Sequence, residues 1–103
     1  MTSPSKIFIK ESVTNNELLT VLAQIGFRDE SSEDRFRFVN DTYNSVIVLP
    51  IRPLDEAVQR IYLADYSYQL YMQGIIKNEE SLVKKVMQNR IKRKNVAKEG
   101  HKK

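Results

Sequence analysis

The sequence predicts one small α+β domain, an antiparallel sheet packed by helices, and three observations carry that prediction. A capping-box signature opens an apolar helical segment after Thr14. A period-two run, Arg35-Phe-Arg-Phe38, and a β-branched run, Ser45-Val-Ile-Val-Leu49, flank a stretch of turn residues. A long helical pattern then follows Pro53. The expected architecture is a hairpin of 35–39 with 45–49 plus one or two edge strands, packed by a helix near 15–25 and a long helix near 54–73. A C-terminal helix is expected near 79–93.

Element by element, Lys6-Ile-Phe-Ile-Lys10 is rich in strand formers and reads as a first edge strand or an extended arm. Thr14-Asn-Asn-Glu17 has the spacing in which the Thr hydroxyl accepts from the Glu17 amide and the Glu carboxylate reaches back. Leu18, Leu19, Val21, Leu22 and Ile25 give that helix its apolar face, and Gly26 stands where a left-handed cap ends it. In the hairpin, Phe36 and Phe38 point to the core while Arg35 and Arg37 project from the other face. Asn40-Asp-Thr-Tyr-Asn44 supplies the turn. Val46 to Leu49 is apolar on both faces, which predicts a cover on its second face: the tail, the N-terminal arm or a second subunit.

In the long helix, Asp55 and Glu56 are expected near the positive end. The core stripe is expected to run through Ala57, Ile61, Ala64 or Asp65, Tyr68 and Tyr71 to Met72, widened by Val58, Leu63 and Leu70, with Gly74 as a terminator or a break. Tyr62, Tyr66, Tyr68 and Tyr71 are read as core residues whose hydroxyls reach the rim, against a competing reading as a stacking or partner surface. Asn78 caps the last helix, in which Leu82, Val83, Val86, Met87 and Ile91 recur at helical spacing. The domain is expected to span 1–87, with 88–103 a basic extension, helical and then disordered.

The 103 residues fit a single core, and 41% hydrophobic with 29% charged content is ordinary for a folded chain. The absence of cysteine excludes disulfides and thiolate metal sites and agrees with a reducing compartment, so cytoplasm is the expected location. No stretch is read as a secretory signal or a membrane span. The net charge of +4 hides a division: residues 1–83 carry 8 basic against 12 acidic side chains, whereas 84–103 carry 9 basic against Glu99 alone. An acidic body bears a basic tail.

That inventory excludes most enzyme chemistry. With no Cys and only His101 there is no His-based metal cluster and no Cys-His or Ser-His-Asp arrangement, so no catalytic residue, metal ligand or cofactor is assigned. Three isolated glycines make neither a P-loop nor a dinucleotide fingerprint. Asp29, Glu30, Glu33 and Asp34, and the Glu79-Glu80 pair, read as solvated loop and helix-start acids rather than as a magnesium site or an acid/base pair. Arg35 and Arg37 share a face that suits successive phosphates, against a competing reading in which they pair with acids such as Asp34 and Asp29. Lys84, Lys85, Arg90, Lys92, Arg93 and Lys94 give the strongest electrostatic signal, weighed against a merely solvated helix end.

Glu17-Leu-Leu-Thr-Val-Leu-Ala-Gln-Ile-Gly-Phe27, Arg35-Phe-Arg-Phe38, Val46-Ile-Val-Leu-Pro50 and Leu70-Tyr-Met-Gln-Gly-Ile-Ile76, in that order, resemble the HicA-like (YcfA-like) toxin domain over about residues 14–87. Gly26-Phe27 after the first helix and Leu49-Pro50 after the hairpin are its more specific motifs. The resemblance implies a fold similar to double-stranded RNA-binding domains, cleavage of mRNA, and neutralisation by a HicB-like antitoxin. It also implies a Gly-Ser-His pattern whose His falls on Arg35, with Glu33 and Asp34 in place of the small residues before it. A guanidinium that stays protonated holds phosphate but is a poor general base.

The expectation is therefore a non-catalytic, HicA-like RNA-binding module of a toxin-antitoxin system. Arg35, Arg37, Lys84, Lys85, Arg90, Lys92, Arg93 and Lys94 are its phosphate-contacting residues. The competing expectation is a homodimeric interaction domain without a nucleic-acid ligand, closed through Val46 to Leu49.

Overall fold

Residues 11–100 are described by a computed structural model, with side chains to residue 94. The strand or arm expected at Lys6–Lys10 and the tail beyond Gly100, His101 included, lie outside them. The order is α1 (Asn15–Gln24), β1 (Arg28–Asp29), β2 (Arg35–Asn40), β3 (Ser45–Pro50), α2 (Arg60–Met72) and α3 (Ser81–Gly100), the α+β fold that the sequence predicts. Among the described residues no helix is long and apolar enough to cross a membrane.

The local signals of α1 act as written. Thr14 Oγ1 accepts from the Glu17 amide at 3.2 Å, and Glu17 Oε1 accepts from the Thr14 amide at 3.0 Å. At the other end Gly26 takes φ +104°, the Phe27 amide donates to Leu22 O at 2.9 Å and the Gly26 amide to Ala23 O at 3.3 Å. That paired arrangement satisfies two helix-end carbonyls. Gly74, at φ +77°, closes α2 the same way, with Ile75 N donating to Leu70 O at 2.9 Å and Gly74 N to Tyr71 O at 3.0 Å.

The sheet is an antiparallel meander in the order β1-β2-β3, and its edge is the two-residue β1, opposite Phe38 and Val39, so Asp29 belongs to a short strand in a segment that the sequence reads as a loop. The hairpin register sets Arg37 opposite Val48 and Phe38 opposite Ile47. Phe38, Ile47 and Leu49 are buried against the helices, so Arg35 and Arg37 project from the outer face. Asn40 fixes the turn: its Oδ1 accepts from the Tyr43 amide at 3.3 Å, and Asn44 adopts φ +52°.

The long helix departs from expectation in start and phase. It begins at Arg60 rather than near 54, because the carbonyls of the preceding turn are committed to α1. Asn15 N donates to Glu56 O and Asn16 N to Leu54 O, both at 2.9 Å, while buried Asn15 sends its side-chain amide to Pro53 O and Glu56 O. The orphan amides at the start of α1 are thus satisfied from a segment some forty residues away. Thr14 bridges Ala57, and Val58 N donates to Val13 O at 2.7 Å. Asp55 and Glu56 therefore lie outside the first turn of α2.

The face of α2 that is buried carries Leu63, Ser67 and Leu70. Ser67 fits because its hydroxyl donates to Leu63 O at 2.8 Å. Ile61 and Met72, expected in the core, are 67% and 62% exposed. Of the tyrosines, Tyr66 packs against the core, and burial, with Tyr62 and Asp65 beside it, raises its pKa. Tyr62 and Tyr71 are exposed.

α3 starts at Ser81 rather than near 79, so Glu79 and Glu80 precede its first turn and Asn78, the expected cap, sits in the turn before it, where its Oδ1 accepts from Glu80 N at 3.1 Å; the helix extends past the expected 93 to Gly100. Leu82, Val83 and Val86 are buried in the common core, whereas Ile91 is exposed. The helix packs along α1, and among the described residues nothing covers the second face of β3, where Val46 and Val48 are 41% and 46% exposed.

Candidate nucleic-acid interface

The site grows from one carboxylate. Glu17, placed by the capping box in the first turn of α1, receives the Arg90 guanidinium on both oxygens, Nε to Oε2 at 2.5 Å and Nη2 to Oε1 at 2.7 Å. Arg90 Nη2 also donates to Ser12 O at 2.6 Å, and Arg93 Nη2 stands 3.4 Å from Glu17 Oε2. One planar fork joins α3, α1 and the chain leading into α1. The carboxylate side chain is only 11% exposed and that of Arg90 38%. The Arg90 hydrogen bonds outweigh burial, and with the Thr14 amide they hold the Glu17 pKa down at about 2. The same bonds raise the pKa of Arg90. Beside this clamp, Asn89 of α3 and Gln24 of α1 exchange side-chain hydrogen bonds at 2.8 and 3.2 Å.

These clamps leave an open groove of about 280 Å³ between the two helices, lined by Asn16, Glu17, Thr20 and Gln24 of α1 and by Val86, Asn89, Lys92 and Arg93 of α3. Lys92 and Arg93 stand at its rim, both exposed. Lys85, seven residues before Lys92, lies on the same stripe of α3. Lys84 is exposed one step further round, and Lys94 belongs to the opposite flank with Met87 and Ile91. Amide, hydroxyl and cationic groups therefore face one concavity whose own carboxylate is already neutralised.

The eight basic residues singled out from the sequence do not form one surface. Arg35 and Arg37 are on the outer side of the sheet, and α3 lies on its helix side. Arg37 is ion-paired with Glu30, which also receives Arg28, and Arg28 reaches Asp41. Arg28, with Arg37 behind it, lowers the pKa of Glu30. The acid that Arg37 finds is thus Glu30, while Asp29 accepts from the Ser31 amide at 2.8 Å. Arg35 is exposed and makes no ion pair among the described residues.

Sequence reasoning missed Glu17 as the anchor of the basic helix, and with it the groove residues Asn16, Thr20, Gln24 and Asn89. Its capping role was legible, but its second partner lies 73 residues away. The available signal was an acid on α1 facing a chain whose basic residues recur three apart at Arg90 and Arg93. Scans against protein-family models, curated proteins and solved structures each return no match.

Proposed function

We propose that this chain is a non-catalytic RNA-binding module, HicA-like in its order of elements, that holds the phosphate backbone along the α1–α3 groove. The observation that carries the reading is the Glu17–Arg90 clamp, which fixes a basic helix beside a polar helix face. Lys85, Lys92 and Arg93 supply charge toward the groove side, Lys84 adds charge on the solvent face of the same helix, and Asn16 and Thr20 supply neutral hydrogen-bonding groups. Arg90 serves as a positioning residue, since its guanidinium is committed to Glu17 and Ser12. Arg35 and Arg37 are a separate basic pair, and an RNA seated on α3 does not reach them.

Cleavage is not part of the proposal. Arg35 stands where the resemblance expects a histidine, and a permanently charged guanidinium cannot take the proton from a ribose hydroxyl. A HicB-like antitoxin would be the protein partner if the toxin-system resemblance holds, and the acidic body outside α3 gives a basic partner a surface.

The test is fluorescence anisotropy with a structured RNA hairpin. Replacing Lys84, Lys85, Lys92 and Arg93 by Gln should weaken binding at least about tenfold at moderate salt and flatten its salt dependence. Arg35→Ala should leave affinity within about twofold, because its guanidinium lies on the far side of the sheet from the groove and neutralises no phosphate held there. Equal affinity of the quadruple variant and the wild type would overturn the proposal.

A further inference from the structure

The α2 helix is apolar on both sides. Leu63, Ser67 and Leu70 face the core, yet the opposite side presents Ile61, Tyr68 and Met72, flanked by Ala64 and Tyr71, with Asp65 as the charged residue on the same stripe. A helix that is hydrophobic all round is ordinarily buried all round. Here Ile61, Tyr71 and Met72 stay exposed in the single chain.

We propose that this outward stripe is a homodimer interface, in which α2 packs antiparallel against α2 of a second copy about a two-fold axis. The pattern itself selects that occupant. Residues 61, 65, 68 and 72 are spaced by four, three and four, the seam of helices crossing at a shallow angle. That spacing reads the same in both directions, so a two-fold axis between 65 and 68 sets Ile61 against Met72 and Asp65 against Tyr68 of the other copy. Each Tyr68 hydroxyl then donates to an Asp65 carboxylate, and the symmetry makes this contact twice. The stripe is thus complementary to itself in its apolar spacing and in its hydrogen bonding.

The other apolar surface is less suited. On β3, the carbonyl of Val46 already accepts from Gln69 Nε2 at 3.2 Å and the Ser45 hydroxyl donates to Gln73 Oε1 at 2.5 Å, so α2 side chains occupy that strand edge. Pro50 offers no amide there, and the exposed Val46 and Val48 share the outer face with the Arg28, Glu30 and Arg37 charges.

The chain has no cysteine, which permits a direct test on the full-length protein. Under mild oxidation, the double variant I61C/M72C should give a covalent dimer on a non-reducing gel, whereas each single variant should stay monomeric. Residues 61 and 72 of one chain are about 16 Å apart along the helix and cannot bridge internally. Cross-linking of the single variants, or none in the double variant, overturns the antiparallel arrangement. Sedimentation adds an independent arm: the wild type should be a dimer, Met72→Glu a monomer with its fold intact by circular dichroism, and Val48→Glu still a dimer. A wild type that is monomeric across the concentration range, or a dimer broken by Val48→Glu and not by Met72→Glu, contradicts the proposal.

Discussion

Two arginine–glutamate clusters, one on each side of the sheet, put the same chemistry to different use. On the helix side, Arg90 closes on a Glu17 carboxylate that is nearly buried and already hydrogen-bonded to the start of α1. On the outer side, Arg37 and Arg28 share a Glu30 that stays open to water, as they do. Water screens the outer pairs and leaves them little net stabilisation. It is largely excluded from Glu17, so that pair fixes how α3 sits on α1. The difference shows why counting arginines along the sequence locates charge but not its role: exposure decides whether a cation holds the fold, decorates it or remains available to a ligand.

Removing the inner carboxylate should have the largest effect. Glu17→Gln is expected to lower stability by about 2 kcal/mol, a value already reduced for the partly exposed Arg90, or roughly 10 °C in melting temperature; urea and thermal unfolding measure both. The pH dependence sharpens the assignment. Because the folded pKa of Glu17 is lowered from 4.5 to about 2, its contribution is present above pH 4.5 and is lost as pH falls toward 2. The stability gap between wild type and Glu17→Gln should therefore close over that window. A gap that stays constant would assign the loss to packing rather than to charge.

Arg90→Lys keeps the charge and removes the fork, so about 1 kcal/mol should go, visible as a lower urea midpoint. The smallest effect belongs to the outer face. Glu30→Gln should leave the urea midpoint unchanged although it breaks two ion pairs, and a clear drop there would erase the contrast between the two sides.

What could be read from the sequence was what local chemistry decides. Thr14 and Glu17 as a capping box, Gly26 as a left-handed terminator, Gly74 as the end of the long helix, and the phase of Phe36 and Phe38 depend on residues within a few positions of each other. The start of α2 was illegible because the carbonyls of Pro53, Leu54 and Glu56 are taken by Asn15 and Asn16, a pairing no local window contains. The buried face of α2 was misread for a related reason. Apolar residues on both sides give two acceptable stripes, and Ser67, polar in sequence, joins the buried one through its bond to Leu63 O. The groove shared this fate, since the charge of α3 could be counted but its orientation rests on distant partners, the common core around Leu82 and Val86 and the contacts to Glu17 and Gln24.

The most direct test of the central claim is the salt dependence of wild-type binding to a structured RNA hairpin between about 50 and 200 mM monovalent salt. Engagement of Lys84, Lys85, Lys92 and Arg93 predicts that log affinity falls against log salt with a slope of about −3. Absence of binding at the low-salt end, or binding whose affinity does not change with salt, would contradict the account.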